Sequence, residues 1–268
     1  MTAAAATAPT PFAKHHLTEA ERSSWLAERL RGCGLATVSG LPTRGTVLGF
    51  VHSVMRLTPH RDSDRDGLTT IHNTSLPHRA PLPGFAGFGN GELAPHTERS
   101  SIPRPPRLML LVCLRPALEG GECGLIDGQA VLADLDAHHP EIAEELAVPR
   151  SAYFGDGGGH LAQVITHLGP DRASLRLRLD ELVKFSPHLT PHLPVLRAVL
   201  DRHRTNLTLS VGQGYLLDNH RWLHSRGPFT GERLMVRALG DPIPAMALRP
   251  GFIRAAAHTG EQREPKCS

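Results

Sequence analysis

The stretch Gly214-Tyr215-Leu216-Leu217-Asp218-Asn219-His220-Arg221-Trp222-Leu223-His224-Ser225-Arg226 constrains the fold of this chain more than any other. It reads as a tight turn at Gly212-Gln213-Gly214, a short apolar strand, and His224 at the strand's end. Glu232 to Arg237 forms a second predicted strand, which carries Arg233 and Arg237. Far upstream, Pro95-His96-Thr97-Glu98 sets a histidine and a carboxylate two residues apart, 128 positions before His224. Residues two apart share one side of an extended segment.

With 268 residues, 40% of them hydrophobic, the chain is long enough to bury a real core. The expected organisation is a leader over residues 1–12, one domain over 13–245 and a tail over 246–268. The leader and the tail's end are expected to be disordered. Met1 to Pro9 lacks both a charged start and an apolar centre, so it does not read as a signal peptide. No apolar run approaches the roughly 20 residues of a membrane span. The net charge of +3 comes without a long Lys/Arg run, and aromatics are only 4%. Nucleic acid is therefore not an expected partner, whereas a small anion is. Cys33, Cys113, Cys123 and Cys267 form no C-x-x-C pair and are expected to be reduced thiols in a cytoplasmic protein.

Helices are predicted over Thr18–Arg31, Val47–Leu57, Ala130–Leu135, His139–Leu146 and Pro194–Arg204. Strands are predicted over Leu35–Val38, Leu68–Asn73, Arg107–Leu114, Leu125–Ile126 and Leu207–Val211, with Gly120-Gly121 a hairpin-like turn. Asp62 to Gly67 is a polar turn, and 76–90 a Pro/Gly-rich loop. Residues 151–174, centred on Gly157-Gly158-Gly159, read as irregular and as a mobile insertion over a site. Several short strands with scattered helices predict a mainly β, α+β fold: a jelly-roll barrel with helical decoration rather than a parallel sheet.

Two imidazoles and one carboxylate on one face of a ferrous ion leave the other face free for a chelating acid and for dioxygen. His96, Glu98 and His224 supply those residue types. Two other pairs, His60-Arg61-Asp62 and His139-Pro140-Glu141, have the same spacing. The first sits beside a turn and is expected to be solvated. The second starts a helix, where Glu141 serves the dipole.

The whole set resembles the TauD/TfdA-type and clavaminate synthase-like iron(II)/2-oxoglutarate dioxygenases. The segments that carry the resemblance occur in family order: Gly87 to Glu98, Gly120-Gly121-Glu122, Asp218 to Arg226, and Arg233 to Arg237. The resemblance implies a double-stranded β-helix core, with Fe(II) on His96, Glu98 and His224. It implies 2-oxoglutarate and O2 as co-substrates, with Arg237 on the far carboxylate of the oxo acid. A guanidinium fork matches a carboxylate with two hydrogen bonds. Arg233, four residues earlier, is expected on the same side to assist at the other carboxylate. The competing reading of Arg233 is a surface ion pair with Glu232 or another acid. Many relatives carry Thr just after the Gly-Gly-acid turn as a 2-oxoglutarate contact. Here Cys123 stands there, and a thiol is a poor donor.

The implied reaction is hydroxylation of an unactivated C–H bond with release of succinate and CO2. Desaturation or ring closure remains open, while Glu98 weighs against halogenation. The expected prime substrate is an amino acid or a derivative, free or carrier-bound. Asp62, Asp64 and Asp66 either attract a basic substrate or form a solvated turn. Arg176 and Arg178 either meet a substrate carboxylate or are surface charge. Asn219 braces a turn or caps a strand, His220 is expected at the surface or behind the metal ligands, and His15, His16, His138 and His139, which flank helices, are expected to be solvated. The rival classes are a cupin-like metalloenzyme without 2-oxoglutarate and a jelly-roll binding protein.

Overall fold

The computed structural model describes residues 10–17, 22–74 and 84–254. Among these, no helix is long and apolar enough to cross a membrane. The architecture is mainly β with flanking helices, built on two antiparallel sheets. The larger runs Leu35–Val38, Gly214–Asp218, Leu108–Arg115, Leu234–Pro242, Met55–Leu57, with Thr69–His72 also paired to Leu234–Pro242. The smaller runs Arg204–Leu207, Cys123–Asp127, Trp222–Arg226, Leu93–His96.

Alternation along the strands decides what faces what. In Leu108–Arg115, the side chains of Leu108, Leu110 and Val112 join the cluster beneath helices Arg22–Gly32 and Arg44–Val54. Met109, Leu111 and Cys113 instead join Cys123, Leu125 and Trp222 of the smaller sheet. This strand is thus buried on both faces, which is why it reads as an unbroken apolar run. The same alternation turns Tyr215 and Leu217 inward, and Met235 and Leu239 inward with them. Arg237 lies between those last two at even offsets, so the barrel interior is where its side chain goes. In Trp222–Arg226, Leu223 packs outward into the cluster under the other helices, and Trp222 packs inward. His224 and Arg226 follow Trp222.

Several expected boundaries move for tertiary reasons. The helix expected over Val47–Leu57 begins at Arg44, where Thr43 and Thr46 form a capping box. It ends at Val54, because Met55–Leu57 pairs with Gly240–Pro242 instead. The strand expected over Leu207–Val211 lies at Arg204–Leu207, in register with Cys123–Ile126. His224 sits in the middle of a second strand and not at the end of the first, because a turn at Asn219–Arg221 separates them. Most of the 76–90 loop and the Thr18 cap lie outside the described residues.

The 151–174 segment is not irregular. Ala152–Phe154 pairs with both His160–Ala162 and Val183–Phe185, and Ile165–His167 pairs with Arg172–Leu175. These strands are too short for alternation to show through the glycine turns between them. Past residue 245, Phe252–Ile253 pairs with Arg172–Ala173, which extends the packed fold into the expected tail. Cys113 and Cys123 are free and buried. Cys33 is disulfide-bonded, which corrects the expectation of four reduced thiols.

Candidate active site

His96 ends the Leu93–His96 strand, and its Cα partner across the sheet is His224. The two rings stand 4.1 Å apart between centroids. Glu98 lies just past the strand end, where Thr97 hydrogen-bonds Leu177 through N–H and hydroxyl. Its carboxylate Oε2 is 3.8 Å from His224 Nε2. One ligand atom from each of His96, Glu98 and His224 falls within 4.8 Å of the others, and all three side chains are buried.

The charge states suit a metal. Burial lowers the pKa of both His96 and His224, so each imidazole is neutral and offers a lone pair. Burial acts to raise the Glu98 carboxyl, but the Arg237 guanidinium beside it overcomes this and holds the pKa at about 2. His96 Nδ1 lies 2.9 Å from the Ala94 carbonyl, which makes Nδ1 the protonated nitrogen and leaves Nε2 as the donor to a metal. Two neutral imidazoles and a carboxylate on one side of a cavity fit a divalent transition metal with open positions.

Asn219 holds this arrangement together. Its Oδ1 accepts the Glu98 N–H at 2.6 Å, and its Nδ2 donates to the Glu98 carbonyl at 3.0 Å and to the Pro106 carbonyl at 2.8 Å. Asn219 is therefore neither a strand cap nor merely a brace for its own turn. It fixes the segment that carries the Glu98 carboxylate.

The three residues line a cavity of about 390 Å³. Arg237 reaches into it and donates from Nη1 to Glu98 Oε2 at 2.8 Å. Arg233 precedes the strand that begins at Leu234, and a β-bulge between Leu234 and Met235 breaks the register. The even-offset argument for Arg233 fails there, yet its side chain is buried and lines the same cavity. Its Nη2 stands 3.8 Å from Cys123 Sγ, and its guanidinium lies over the Phe229 ring at 5.6 Å. The surface ion pair expected of it goes elsewhere, since Glu232 pairs with Arg115.

Other residues sort by contact. Arg44 binds Asp64 and Asp66, so those two form a tied surface turn. His60 and Asp62 line the cavity, 3.0 Å apart, and are not the solvated pair expected. Arg178 lines the cavity in an ion pair with Asp180, whereas Arg176 donates to the carbonyls of Ser100, Ile102 and Pro103. His220 Nε2 approaches the Pro105 carbonyl at 3.3 Å, away from the metal ligands. His15 is half-buried against Trp222 and not solvated.

Sequence reasoning missed Arg226, Asp180 and Tyr215. Arg226 was within its reach: two residues beyond His224, it shares that residue's side of the strand. It donates to the carbonyls of Gly87 and Gly91 and ties that loop to the wall of the site. Asp180 carries no spacing signal, because Arg178 reaches the site by an isolated bridge to His96. Tyr215 is the one phenol in an otherwise aliphatic inward row, a signal visible in the sequence.

Known proteins share this fold. A family model described as taurine catabolism dioxygenase TauD, TfdA family matches residues 4–239. An asparagine oxygenase solved with Fe(II), 2S,3S-3-hydroxyasparagine and succinate superposes with a TM-score of 0.63 at 18% identity, over 86% of this chain and 82% of that one. The non-heme iron oxygenase OrfP, solved with Fe, succinate and (3S)-hydroxy-L-Arg, gives 0.60 at 17%, over 82% and 79%. PvcB of Pseudomonas aeruginosa gives 0.60 at 15%, over 81% and 82%. At these identities the likeness to the solved structures is one of fold.

Proposed function

The chain belongs to the TauD, TfdA family of dioxygenases, and from that premise we propose that it hydroxylates an amino acid or a close derivative. The observation that carries the reading is the convergence of His96, Glu98 and His224 at a cavity that also holds two buried arginines. His96 Nε2, a Glu98 carboxylate oxygen and His224 Nε2 would hold Fe(II). Bound iron with 2-oxoglutarate and O2 supplies an oxidation that yields succinate and CO2 and puts one oxygen atom into a substrate C–H bond. The arginines favour an oxo diacid over the rival metal sites that need no such co-substrate.

We assign the far carboxylate of 2-oxoglutarate to Arg233, which exchanges the roles expected from sequence. Arg237 already touches the ligand Glu98, so it lies at the metal end. Arg233 lies in the direction of Cys123 and Phe229, and no carboxylate pairs with it among the described residues. A buried guanidinium without a counter-ion is unfavourable until an anion meets it. Arg237 keeps Glu98 ionised and presents its remaining donors toward the substrate side.

The prime substrate takes the rest of the cavity, toward His60, Asp62, Arg178 and Asp180. That the asparagine oxygenase and OrfP structures hold hydroxylated amino acids supports an amino acid there. The test is anaerobic addition of Fe(II) and 2-oxoglutarate to metal-free protein, read by the visible charge-transfer absorption of the chelate. Wild type is expected to show it, and Arg233→Ala to need far more 2-oxoglutarate. No band in folded, iron-loaded wild type would sink the proposal. Equal affinity in wild type and Arg233→Ala would return the far carboxylate to Arg237.

A further inference from the structure

Tyr215 belongs to the inward row of the Gly214–Asp218 strand and lines the cavity. The residue is 0% exposed, and its hydroxyl has no oxygen or nitrogen hydrogen-bond partner among the described residues, only the Cys123 sulfur. A hydroxyl buried without a partner is unfavourable, and native proteins leave few of them. Burial raises the phenol's pKa well above its ordinary value, so it stays a neutral O–H donor. Its neighbour is the Cys123 thiol, a weak acceptor, and Arg233 is close enough to act on it electrostatically.

Two donors of different kinds therefore meet in one small volume. One is the phenol of Tyr215 on the larger sheet. The other is the guanidinium of Arg233, whose Nη2 has the Cys123 sulfur at 3.8 Å. Neither has an oxygen acceptor there. A carboxylate has about four lone-pair sites, enough to take a guanidinium fork and one further O–H.

We infer that the Tyr215 hydroxyl donates a hydrogen bond to the far carboxylate of 2-oxoglutarate beside Arg233, a contact the Cys123 thiol is too weak a donor to make. The inference rests on the reading that Arg233 receives that carboxylate. It adds a binding residue, on a different sheet from Cys123, at the end of the cavity away from the metal.

The test compares two oxo acids on the full chain loaded anaerobically with Fe(II): 2-oxoglutarate, and 2-oxovalerate, which carries a methyl group in place of the far carboxylate. Affinities are read from the chelate absorption, and thermal melting of the ligand-free protein is measured beside them. Tyr215→Phe is expected to bind 2-oxoglutarate roughly 10- to 100-fold more weakly, the loss of one hydrogen bond to a charged acceptor. It should leave 2-oxovalerate affinity unchanged and should hardly lower the melting temperature, because the hydroxyl it removes meets only the weakly accepting Cys123 sulfur. Adding Cys123→Ser, which puts a hydroxyl where the thiol was, should recover much of the lost affinity. Wild-type affinity for 2-oxoglutarate in Tyr215→Phe would overturn the inference. So would an equal loss for both oxo acids, which is a packing effect. If wild type itself forms no chelate with 2-oxoglutarate, the reading of Arg233 fails before any variant is made, and this one falls with it.

Discussion

The side-chain amide of Asn219 grips the backbone of Glu98 from both sides, accepting its N–H at 2.6 Å and donating to its carbonyl at 3.0 Å. The two residues are 121 positions apart, and both are buried. A carboxylate residue just beyond a strand end has no ladder to orient it, so this amide does so. Asn219→Ala is expected to weaken Fe(II) or Co(II) binding about 10- to 100-fold, the usual cost of losing a group that orients a metal ligand. It should also lower stability by about 1–3 kcal/mol through unpaired buried groups. Metal titration and denaturant melts check both. Unchanged metal affinity would show that Glu98 holds its place without the clamp.

The Arg178–Asp180 pair makes a second prediction. Both side chains are largely buried and line the cavity, and Asp180 Oδ1 also accepts the Leu182 N–H. Asp180→Ala strands a guanidinium beside the site and is expected to cost on the order of 3 kcal/mol. Removing both partners should cost less than the sum of the two single changes. A double-mutant cycle measures this, and strict additivity would mean that the two do not couple. The affinity for 2-oxoglutarate should change little, because the pair lies toward the proposed substrate end and not beside Arg233.

What the sequence shows and hides follows from which contacts are local. His96 and Glu98 are two apart, and His224 lies in an apolar run, so residue type and spacing exposed them. The Leu108–Arg115 strand was legible because burial on both faces leaves no polar interruption. The placement of Arg233 was not legible, because a β-bulge at Leu234 and Met235 breaks the alternation, and a bulge is set by the partner strand. The clamp of Asn219 on Glu98 was hidden because it closes only once the barrel does. The short strands between Ala152 and Leu175 were hidden because pairing, not propensity, holds three-residue strands. The fold class and the convergence of His96, Glu98 and His224 thus came through, whereas the other residues around the cavity depended on register.

His15 predicts the acid behaviour of the N-terminal segment. Burial, then Lys14 and Arg29, lower its pKa from 6.5 to about 4, against Asp127, while Arg221 adds to the lowering. Its Nδ1 is buried without a partner, and its ring meets Trp222 edge-on at 6.2 Å. The folded state therefore holds this imidazole neutral, and the unfolded chain protonates it below about 6.5. Above that pH it contributes no penalty. As pH falls from 6.5 toward 4, stability is lost, by about 2 kcal/mol after allowing for partial exposure. His15→Leu should flatten this part of the stability–pH curve. An unchanged slope in the variant would assign the acid sensitivity to other groups.

The Gly120-Gly121 turn makes the last prediction, because its two glycines touch different things. Both have positive φ, 71° and 76°, so any side chain there is strained. A Cβ on Gly120 would stand 2.2 Å from the Pro228 carbonyl oxygen, a clash with backbone just before the strand Phe229–Thr230 that pairs with Glu119–Gly120. A Cβ on Gly121 would meet Phe229 Cβ at 3.2 Å and the Cδ and Nε of Arg233 at 3.4 Å. Gly120→Ala should therefore act on stability, by about 1–3 kcal/mol, with the hairpin giving way. Gly121→Ala carries a similar backbone cost but also presses on the guanidinium proposed to hold 2-oxoglutarate. It should raise the dissociation constant for 2-oxoglutarate several-fold more than Gly120→Ala does, relative to 2-oxovalerate. Anaerobic chelate titrations of the two variants, run beside thermal melts, separate the effects. If Gly121→Ala binds both oxo acids as Gly120→Ala does, the turn is a structural element alone and Arg233 is not set by it.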